Sequence, residues 1–109
     1  MIEGIGRRET FVMLGRRGTR VRSGPVRVRY LADGPAPAAA YAIPSSAGGA
    51  VVRNRCRRRL RAALHELDRE APIPPGAYLV AVGGDGVALD YHELRGHLAR
   101  IVEQVRSAR

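Results

Sequence analysis

Arginine crowds one short segment of this chain of 109 residues. Six of the nine residues from 53 to 61 are arginine, Asn54 stands among them, and the segment contains no acidic residue. A guanidinium group presents a planar fork of donors that suits phosphate and also stacks on nucleobases. Arginines three or four residues apart on a helix repel one another and lower its stability. The segment therefore indicates binding of a polyanion.

The charge distribution along the whole chain points the same way. The chain has 19 arginines, no lysine and ten acidic residues, which gives a net charge of +9. Residues 1–61 contain 14 of the arginines and three acids, whereas residues 62–109 contain five arginines and seven acids. Basic residues clustered to this degree attract nucleic acid before other partners. The alternative, a basic face that serves only solubility, explains the clustering less well.

Several other classes of protein are excluded. The single cysteine, Cys56, cannot form an internal disulfide, and His92 and His97 are spaced for different faces of a helix rather than for a metal site. A membrane span needs about 18 consecutive apolar residues, and the chain has no such run. Residues 1–14 lack the basic start and long apolar stretch of a signal peptide, so we expect a cytoplasmic protein.

Hydrophobic periodicity predicts the elements that must position the arginines. Arginines alternate with apolar residues on both sides of a Ser-Gly-Pro turn, which predicts a β-hairpin with its arginines exposed. These arginines are Arg20, Arg22, Arg27 and Arg29. The other predicted strands cover 38–43 and 78–82, and a flexible link over 45–49 and a turn over 83–86 connect elements. A first helix is predicted over 7–14, ended by Gly15, and a long helix over 50–70. A last helix begins at Asp90, which forms a capping box with Glu93. The order α-β-β-β-α-β-α predicts an α/β sandwich, a single domain over 1–109 with a four-stranded sheet and a central basic helix.

The helix over 50–70 separates its residues into two sides. At about 100° per residue, an apolar arc forms from Val52, Cys56, Leu60, Ala63, Leu64 and Leu67. Asn54, Arg57, Arg58 and Arg61 point away from it, with Arg55 and Arg59 along one border and Arg53 at the other edge. The apolar arc is too small for a helix that lies on a membrane, which favours RNA. Phe11, Tyr30 and Tyr41 supply flat surfaces for unpaired bases if they line a cleft; ordinary core packing is the alternative role for each.

Segment 48–64, GGAVVRNRCRRRLRAAL, resembles the arginine-asparagine-arginine signature of the bacterial ribonuclease P protein subunit. That signature is a glycine link, Ala-Val, Arg-Asn-Arg, an apolar residue, two basic residues and another basic residue one turn later. The matching residues are Gly48, Ala50, Val51, Arg53, Asn54, Arg55, Arg57, Arg58 and Arg61, with Cys56 in the apolar position. Phe11 followed by Gly18-Thr19, the strand YLVAV and the segment LDYHEL at 89–94 resemble further parts of the family, so the resemblance covers nearly the whole chain.

The resemblance implies a protein cofactor of an RNA endonuclease, a hydrolase in which the catalytic RNA, with Mg²⁺ bound mainly by RNA and substrate, removes the 5′ leader of precursor tRNA. It also implies that no protein side chain acts as nucleophile or base and that the fold has a left-handed βαβ crossover around the central helix. The residues implied to face the catalytic RNA are Arg53, Asn54, Arg55, Arg57, Arg58 and Arg61. Those implied to line or flank the leader cleft are Phe11, Tyr30, Tyr41, Arg7 and Arg8. The implied partners are the catalytic RNA and precursor tRNA, and we expect the free protein to be a monomer.

The chain departs from the family pattern on the leader side. Ser45 and Ser46 stand where basic residues are usual, Gly15 stands where a second aromatic residue is common, and Gly83 replaces a frequent arginine. The basic N-terminal extension is reduced to Arg7 and Arg8. We therefore expect binding of the catalytic RNA to be kept more securely than leader recognition, which is weakened or altered.

Two other functions remain open. An RNA-binding module of the ribosomal-protein or RNA-chaperone type would use the same basic helix without a role in cleavage, and the fold alone does not separate the two. A DNA-binding protein is disfavoured because the chain has no helix-turn-helix, zinc or zipper pattern.

Overall fold

Three helices pack on one sheet in the computed structural model, which describes residues 2–108. The ends of the predicted domain, Met1 and Arg109, lie outside the described residues. The elements are β1 (Glu3–Gly4), α1 (Arg8–Arg17), β2 (Thr19–Ser23), β3 (Val26–Leu31), β4 (Pro37–Ala42), α2 (Ala50–Glu70), β5 (Gly76–Val82) and α3 (Tyr91–Ser107). The predicted α-β-β-β-α-β-α order is confirmed from α1 onward.

The sheet has five strands in the order β1-β4-β5-β3-β2, so the prediction of four strands is wrong. The additional strand pairs Glu3 with Ala38 and Gly4 with Ala39, parallel to β4. Two residues are too few to show the period-2 pattern by which strands are recognised. β4 and β5 are parallel neighbours joined through α2, whereas β5, β3 and β2 pair antiparallel. The left-handed sense of the crossover stays a prediction.

One face of the sheet carries the core. In β3, Val26 and Val28 lie opposite Val82 and Val80 of β5, and all four side chains are buried beneath α2 and α3. The predicted apolar arc of α2 is buried at Cys56, Leu60, Ala63, Leu64 and Leu67, with Val52 half-buried. The residues of α3 buried against the sheet are Leu94, Leu98, Ile101, Val102 and Val105.

The start of α3 follows its sequence signal, whereas the end of α1 does not. Asp90 Oδ1 accepts from the amide of Glu93 at 2.8 Å and Glu93 Oε1 accepts from the amide of Asp90 at 3.3 Å, which confirms the capping box.

The prediction that Gly15 ends the first helix is wrong, because α1 continues to Arg17. A glycine inside a helix costs only about 1 kcal/mol, and full burial of Leu14 offsets that cost. Short 3-10 helices replace the predicted link and turn, at Ser45–Ala47 and Gly84–Ala88.

The opposite face of the sheet is covered only in part. Arg29 alternates with the buried Val28 and Tyr30, so its side chain leaves the sheet on the face away from the core. Its Nη1 donates to the carbonyl oxygen of Gly15 at 3.3 Å, which places α1 on that same face. The remainder of the face is open.

Polar side chains join α2 to α3 on the outside of the core. The hydroxyl of Tyr91 donates to Glu66 at 2.9 Å, and the guanidinium of Arg95 forms ion pairs with both Glu66 and Glu70. We call Glu66, Glu70, Tyr91 and Arg95 the interhelix clamp. It holds the C-terminal half of α2, which is the half that contains acidic residues.

The hairpin turn between β2 and β3 docks on α3. Gly24 has φ +57°, and a Cβ atom at this position would lie 2.5 Å from Cε1 of His97. Ser23 Oγ lies 2.8 Å from Nδ1 of His97 and accepts a hydrogen bond from Arg100 Nε at 3.0 Å. This close approach fixes the orientation of the hairpin and of the arginines on it.

Gly24→Ala should destabilise the protein more than Gly34→Ala. Both glycines have positive φ, so each substitution places alanine in the left-handed region at about 1–2 kcal/mol. Only position 24 has a neighbour within 4 Å, the His97 ring, and that overlap adds about 1–3 kcal/mol. Urea unfolding of both variants measures the difference. Equal losses would show that the turn is not docked on α3.

Glu66→Gln should make stability less dependent on acid pH. The hydrogen bond from Tyr91 and the contact with Arg95 hold the pKa of Glu66 below its ordinary value of 4.5. A lowered folded-state pKa stabilises the protein above that ordinary value, and the contribution disappears as the pH falls through the lowered one. We expect the variant to lose less of its melting temperature than the wild type over this range.

The control is Glu103→Gln, which removes the same charge from an exposed pair with Arg106 within α3 and breaks no link between helices. Its melting temperature should follow the wild-type pH profile. A Glu66→Gln profile parallel to that of the wild type would contradict a role for the clamp in stability.

Candidate nucleic-acid interface

The arginine run of α2 lies on the solvent side of the molecule. The exposed members of the predicted RNA-facing set are Asn54, Arg55, Arg58 and Arg61. Arg53 and Arg57 are half-buried at its margins. The structure therefore brings all six predicted residues onto one side of the helix and its edges, away from the buried arc.

Hydrogen bonds orient two of these side chains. Arg57 Nη1 donates to Asn54 Oδ1 at 2.8 Å, one turn earlier on the helix. Arg53 Nε donates to the carbonyl oxygen of Gly48 at 3.1 Å, in the segment that precedes the helix. Each bond uses one donor of a guanidinium that has five, so most donors stay available to a partner.

Arg59 has a different position from the others. Its Nη1 donates to the carbonyl oxygen of Leu89 at 2.9 Å, just before α3 begins. Arg59 thus fastens α2 to the entry of α3. The sequence placed it at a border of the basic side, and nothing in the chain marks Leu89 as its partner, because a backbone carbonyl leaves no signal in residue type.

The charges of the run are not neutralised within the part of the chain that the structure describes. The ion pairs among residues 2–108 join Arg95 to Glu66 and Glu70, and Arg106 to Glu103. None involves residues 53–61. On the buried side of the run, burial raises the pKa of the Cys56 thiol, and the nearby charges of Arg59 and Arg57 oppose the rise. Within residues 2–108 the run is therefore a field of like charge that no carboxylate neutralises, which suits an external anion.

Tyr30 and Tyr41 do not lie with Phe11, which corrects the predicted cleft. Tyr30 is 7% exposed; its hydroxyl donates to the carbonyl oxygen of Pro75 at 2.5 Å and its ring centre lies 4.9 Å from that of Tyr78. Tyr41 packs against the core at the edge of the sheet, 5.3 Å beneath the guanidinium of Arg61. Both follow the buried alternation of their strands, so they leave the sheet on the face that α2 covers.

The hydroxyl of Tyr41 is buried without a hydrogen-bond partner among the described residues. Burial raises its pKa to about 12, against the opposing charge of Arg61. A neutral ring beneath Arg61 holds that guanidinium at the surface through a cation–π contact. Tyr41 therefore supports the basic side of α2 from below.

Phe11 lies on α1, on the other face of the sheet, and is 40% exposed. It precedes Gly15 by four residues, so it lies one turn before Gly15 on the same side of α1. Gly15 is the residue whose carbonyl oxygen accepts the hydrogen bond from Arg29. Arg7 and Arg8 are exposed where α1 begins. The end of α1 that meets Arg29 lies beside the open part of the sheet.

A groove of about 420 Å³ runs along that open part, and we call it the sheet groove. Its charged lining is the hairpin set that the sequence predicted to be exposed, Arg20, Arg22, Arg27 and Arg29. Leu79 and Ala81 of β5 supply an apolar floor. An apolar floor with a basic rim suits a single nucleic-acid strand, whose bases are flat and whose backbone is anionic.

A second, shallower groove connects the two basic surfaces at the carboxyl ends of β4 and β5. Arg27 and Ala81 belong to it as well as to the sheet groove, and Arg57 of α2 borders it on the other side. Ser45 and Ser46 are exposed nearby in their 3-10 helix and add no charge. Arg57 and Arg27 therefore border one groove that leads from α2 around the strand ends to the open face.

The described part of the chain offers neither a metal cluster nor a membrane anchor of the helical kind. Among residues 2–108, no group of three or more His, Cys, Asp and Glu side chains is placed to hold a metal ion. Within the same residues, every helix is too short or too polar to cross a bilayer. The arginines of α2 and of the sheet groove together suit an anionic chain.

Comparison with known proteins gives consistent matches. The sequence model of the family described as Ribonuclease P matches residues 3–106. The ribonuclease P protein component of Streptomyces avermitilis is 35% identical over 114 residues, which cover 93% of this chain and 89% of the relative. That of Gluconacetobacter diazotrophicus is 39% identical over 84 residues, 75% of this chain and 72% of the relative.

Solved structures share the fold. The RNase P protein of Staphylococcus aureus superposes with a TM-score of 0.81 at 14% identity over 93% of each chain. The RNase P protein of Thermotoga maritima gives a TM-score of 0.77 at 19% identity, covering 94% of this chain and 96% of the other. At such identities the likeness concerns the arrangement of helices and strands rather than individual side chains.

Proposed function

This chain belongs to the bacterial ribonuclease P protein family, and from that membership we propose that it acts as the protein component of ribonuclease P. In this role it binds the catalytic RNA and the 5′ leader of precursor tRNA, in the cytoplasm, and joins the RNA as a monomer. The observation that carries the proposal is the unneutralised arginine run of α2, which stability alone does not explain.

The catalytic RNA contacts the basic side of α2. The residues assigned to it are Arg53, Asn54, Arg55, Arg57, Arg58 and Arg61. Asn54 acts on the partner indirectly by holding Arg57, and Tyr41 holds Arg61. Side chains held in this way lose less conformational entropy on binding than free ones, which strengthens the contact with phosphates.

The 5′ leader occupies the sheet groove, with Phe11 at its α1 border and Arg7 and Arg8 beyond. The groove is supported as the leader site by its apolar floor and by its continuity with α2 at Arg27 and Arg57. A precursor tRNA bound there meets the catalytic RNA on a single protein surface. The protein then holds substrate and ribozyme in a fixed relative position.

Positioning and charge neutralisation are the contribution of the protein to cleavage. Two RNA molecules repel each other, and arginines that contact both lower the free energy of their complex. Orientation of the scissile phosphate raises the rate without any protein nucleophile or base. In this role Mg²⁺ is bound mainly by the RNA and the substrate.

Reconstitution tests the proposal. Purified protein, a bacterial ribonuclease P RNA and labelled precursor tRNA are combined at low Mg²⁺, where we expect the protein to restore cleavage at the mature 5′ end. Arg53→Ala/Arg55→Ala should abolish most of this rescue, with RNA affinity about tenfold lower or more, since each charge-assisted bond is worth about 1.5–3 kcal/mol.

Arg16→Ala/Arg17→Ala is the matched control, because it removes two exposed arginines from a different helix, α1. It should keep the rescue. Tight RNA binding by the wild type without any rescue of cleavage would support instead an RNA-binding module of the ribosomal or chaperone type.

The affinity for the catalytic RNA should fall steeply with salt. If about five arginines contact phosphates, the logarithm of the association constant falls against the logarithm of salt concentration with a slope of about −3.5 to −4.5. Filter binding across a salt series measures the slope, and Arg55→Ala should reduce its magnitude by about 0.7–0.9. A flat response would argue against any role in RNA binding.

A further inference from the structure

Aromatic side chains are scarce, and most of them are engaged away from the sheet groove. The chain has four tyrosines, one phenylalanine and no tryptophan. Tyr30 and Tyr78 pack on each other in the core, Tyr41 lies beneath Arg61, and Tyr91 donates to Glu66. Phe11 alone stands exposed beside the open face, and the groove is lined by arginines and aliphatic residues instead of rings.

Two of the groove arginines lie against glycines. The Nη1 atom of Arg29 would be 4.0 Å from a Cβ atom at Gly15, and Nη2 of Arg27 would be 3.4 Å from one at Gly83. Gly15 is helical and Gly83 has an extended backbone with φ −123°, so neither conformation demands glycine. What the missing side chains provide at both positions is room beside a guanidinium group.

The same arginines are arranged at a cost in stability. Arg29 lies directly opposite Arg20, and Arg27 directly opposite Arg22, in the register of β2 and β3. Like charges opposed across strands are destabilising. Within residues 2–108 no acidic side chain forms an ion pair with any of the four. Their arrangement is explained by a ligand that takes up both charge and planar surface.

We propose that Arg27 and Arg29 are specificity-determining residues that stack their guanidinium planes on unpaired bases of the 5′ leader. The inference rests on the proposed function and adds to it the side chains and the kind of contact that read the leader. Guanidinium planes stack on bases as aromatic rings do, and they also carry the charge that phosphates require. Leader recognition is then relocated from positions 15 and 83 to the hairpin rather than weakened.

The test separates planar stacking from charge. Reconstituted holoenzyme cleaves two precursor tRNAs, one with a leader of about six nucleotides, long enough to fill a single-strand site, and one with a leader of a single nucleotide. The variants are Arg29→Ala, Arg29→Lys, Arg27→Ala and Arg27→Lys, with Arg16→Ala as the control for loss of one exposed charge. The readout is KM for each substrate at low Mg²⁺.

We expect all four groove variants to raise KM for the long leader about tenfold, which is the size of effect that loss of one stacked base produces. KM for the short leader should change by less than about twofold. Lysine keeps the charge and loses the plane, so the lysine variants should resemble the alanine variants. Arg29→Ala/Gly15→Tyr restores a flat group beside the same space and should recover most of the lost affinity.

Three results would overturn the proposal. A wild-type KM in the lysine variants would show that the leader is recognised by charge alone. Equal losses for both leaders would show that the groove does not contact the leader. Failure of Gly15→Tyr to recover affinity in the Arg29→Ala variant would argue against stacking. A wild-type protein that restores cleavage of neither substrate overturns the proposed function itself. Melting temperatures exclude misfolding, since removing an opposed arginine should leave stability unchanged or higher.

Discussion

Repulsion among the guanidinium groups of α2 is the physical constraint that the rest of the structure must offset. Each like-charged pair one turn apart on α2 costs about 0.2–0.5 kcal/mol. Burial of a leucine such as Leu60 or Leu64 returns about 1.5–3 kcal/mol, so a few core contacts outweigh the repulsion. The interhelix clamp and the bond from Arg59 to Leu89 then fasten the helix to α3. A strongly basic helix is stable here because its other side is well buried.

The sheet divides its two faces between stability and binding. Tyr78, Val80 and Val82 of β5 point into the core, and Leu79 and Ala81 of the same strand form the floor of the sheet groove. The hairpin repeats the arrangement, with valines inward and arginines outward. In the hairpin and in α2 alike, a buried apolar side thus supports an arginine-rich side on which like charges lie close together.

Periodicity and end signals made much of this predictable. The bounds of α2 follow from its apolar arc and from the glycines and proline that flank it, and the capping box of Asp90 and Glu93 placed α3. What was not predictable depends on distant contacts. β1 is too short for a pattern, α1 passes Gly15 because Leu14 is buried, and the faces of Tyr30 and Tyr41 depend on which side of the sheet α2 covers. The arginine signature marked the basic side of α2, whereas the sheet groove could be located only from the register of the strands.

β5 supplies Val80 and Val82 to the core and Leu79 and Ala81 to the sheet groove, so its length is constrained from both faces. Side chains of a strand point alternately to its two faces. Inserting or deleting one residue within β5 would therefore move side chains such as Val80 from the core face to the groove face. The same shift would remove core contacts on which α2 packs and the apolar residues that form the floor of the sheet groove. Natural length differences among relatives should therefore concentrate in exposed connections such as residues 32–36, while β5 keeps its length.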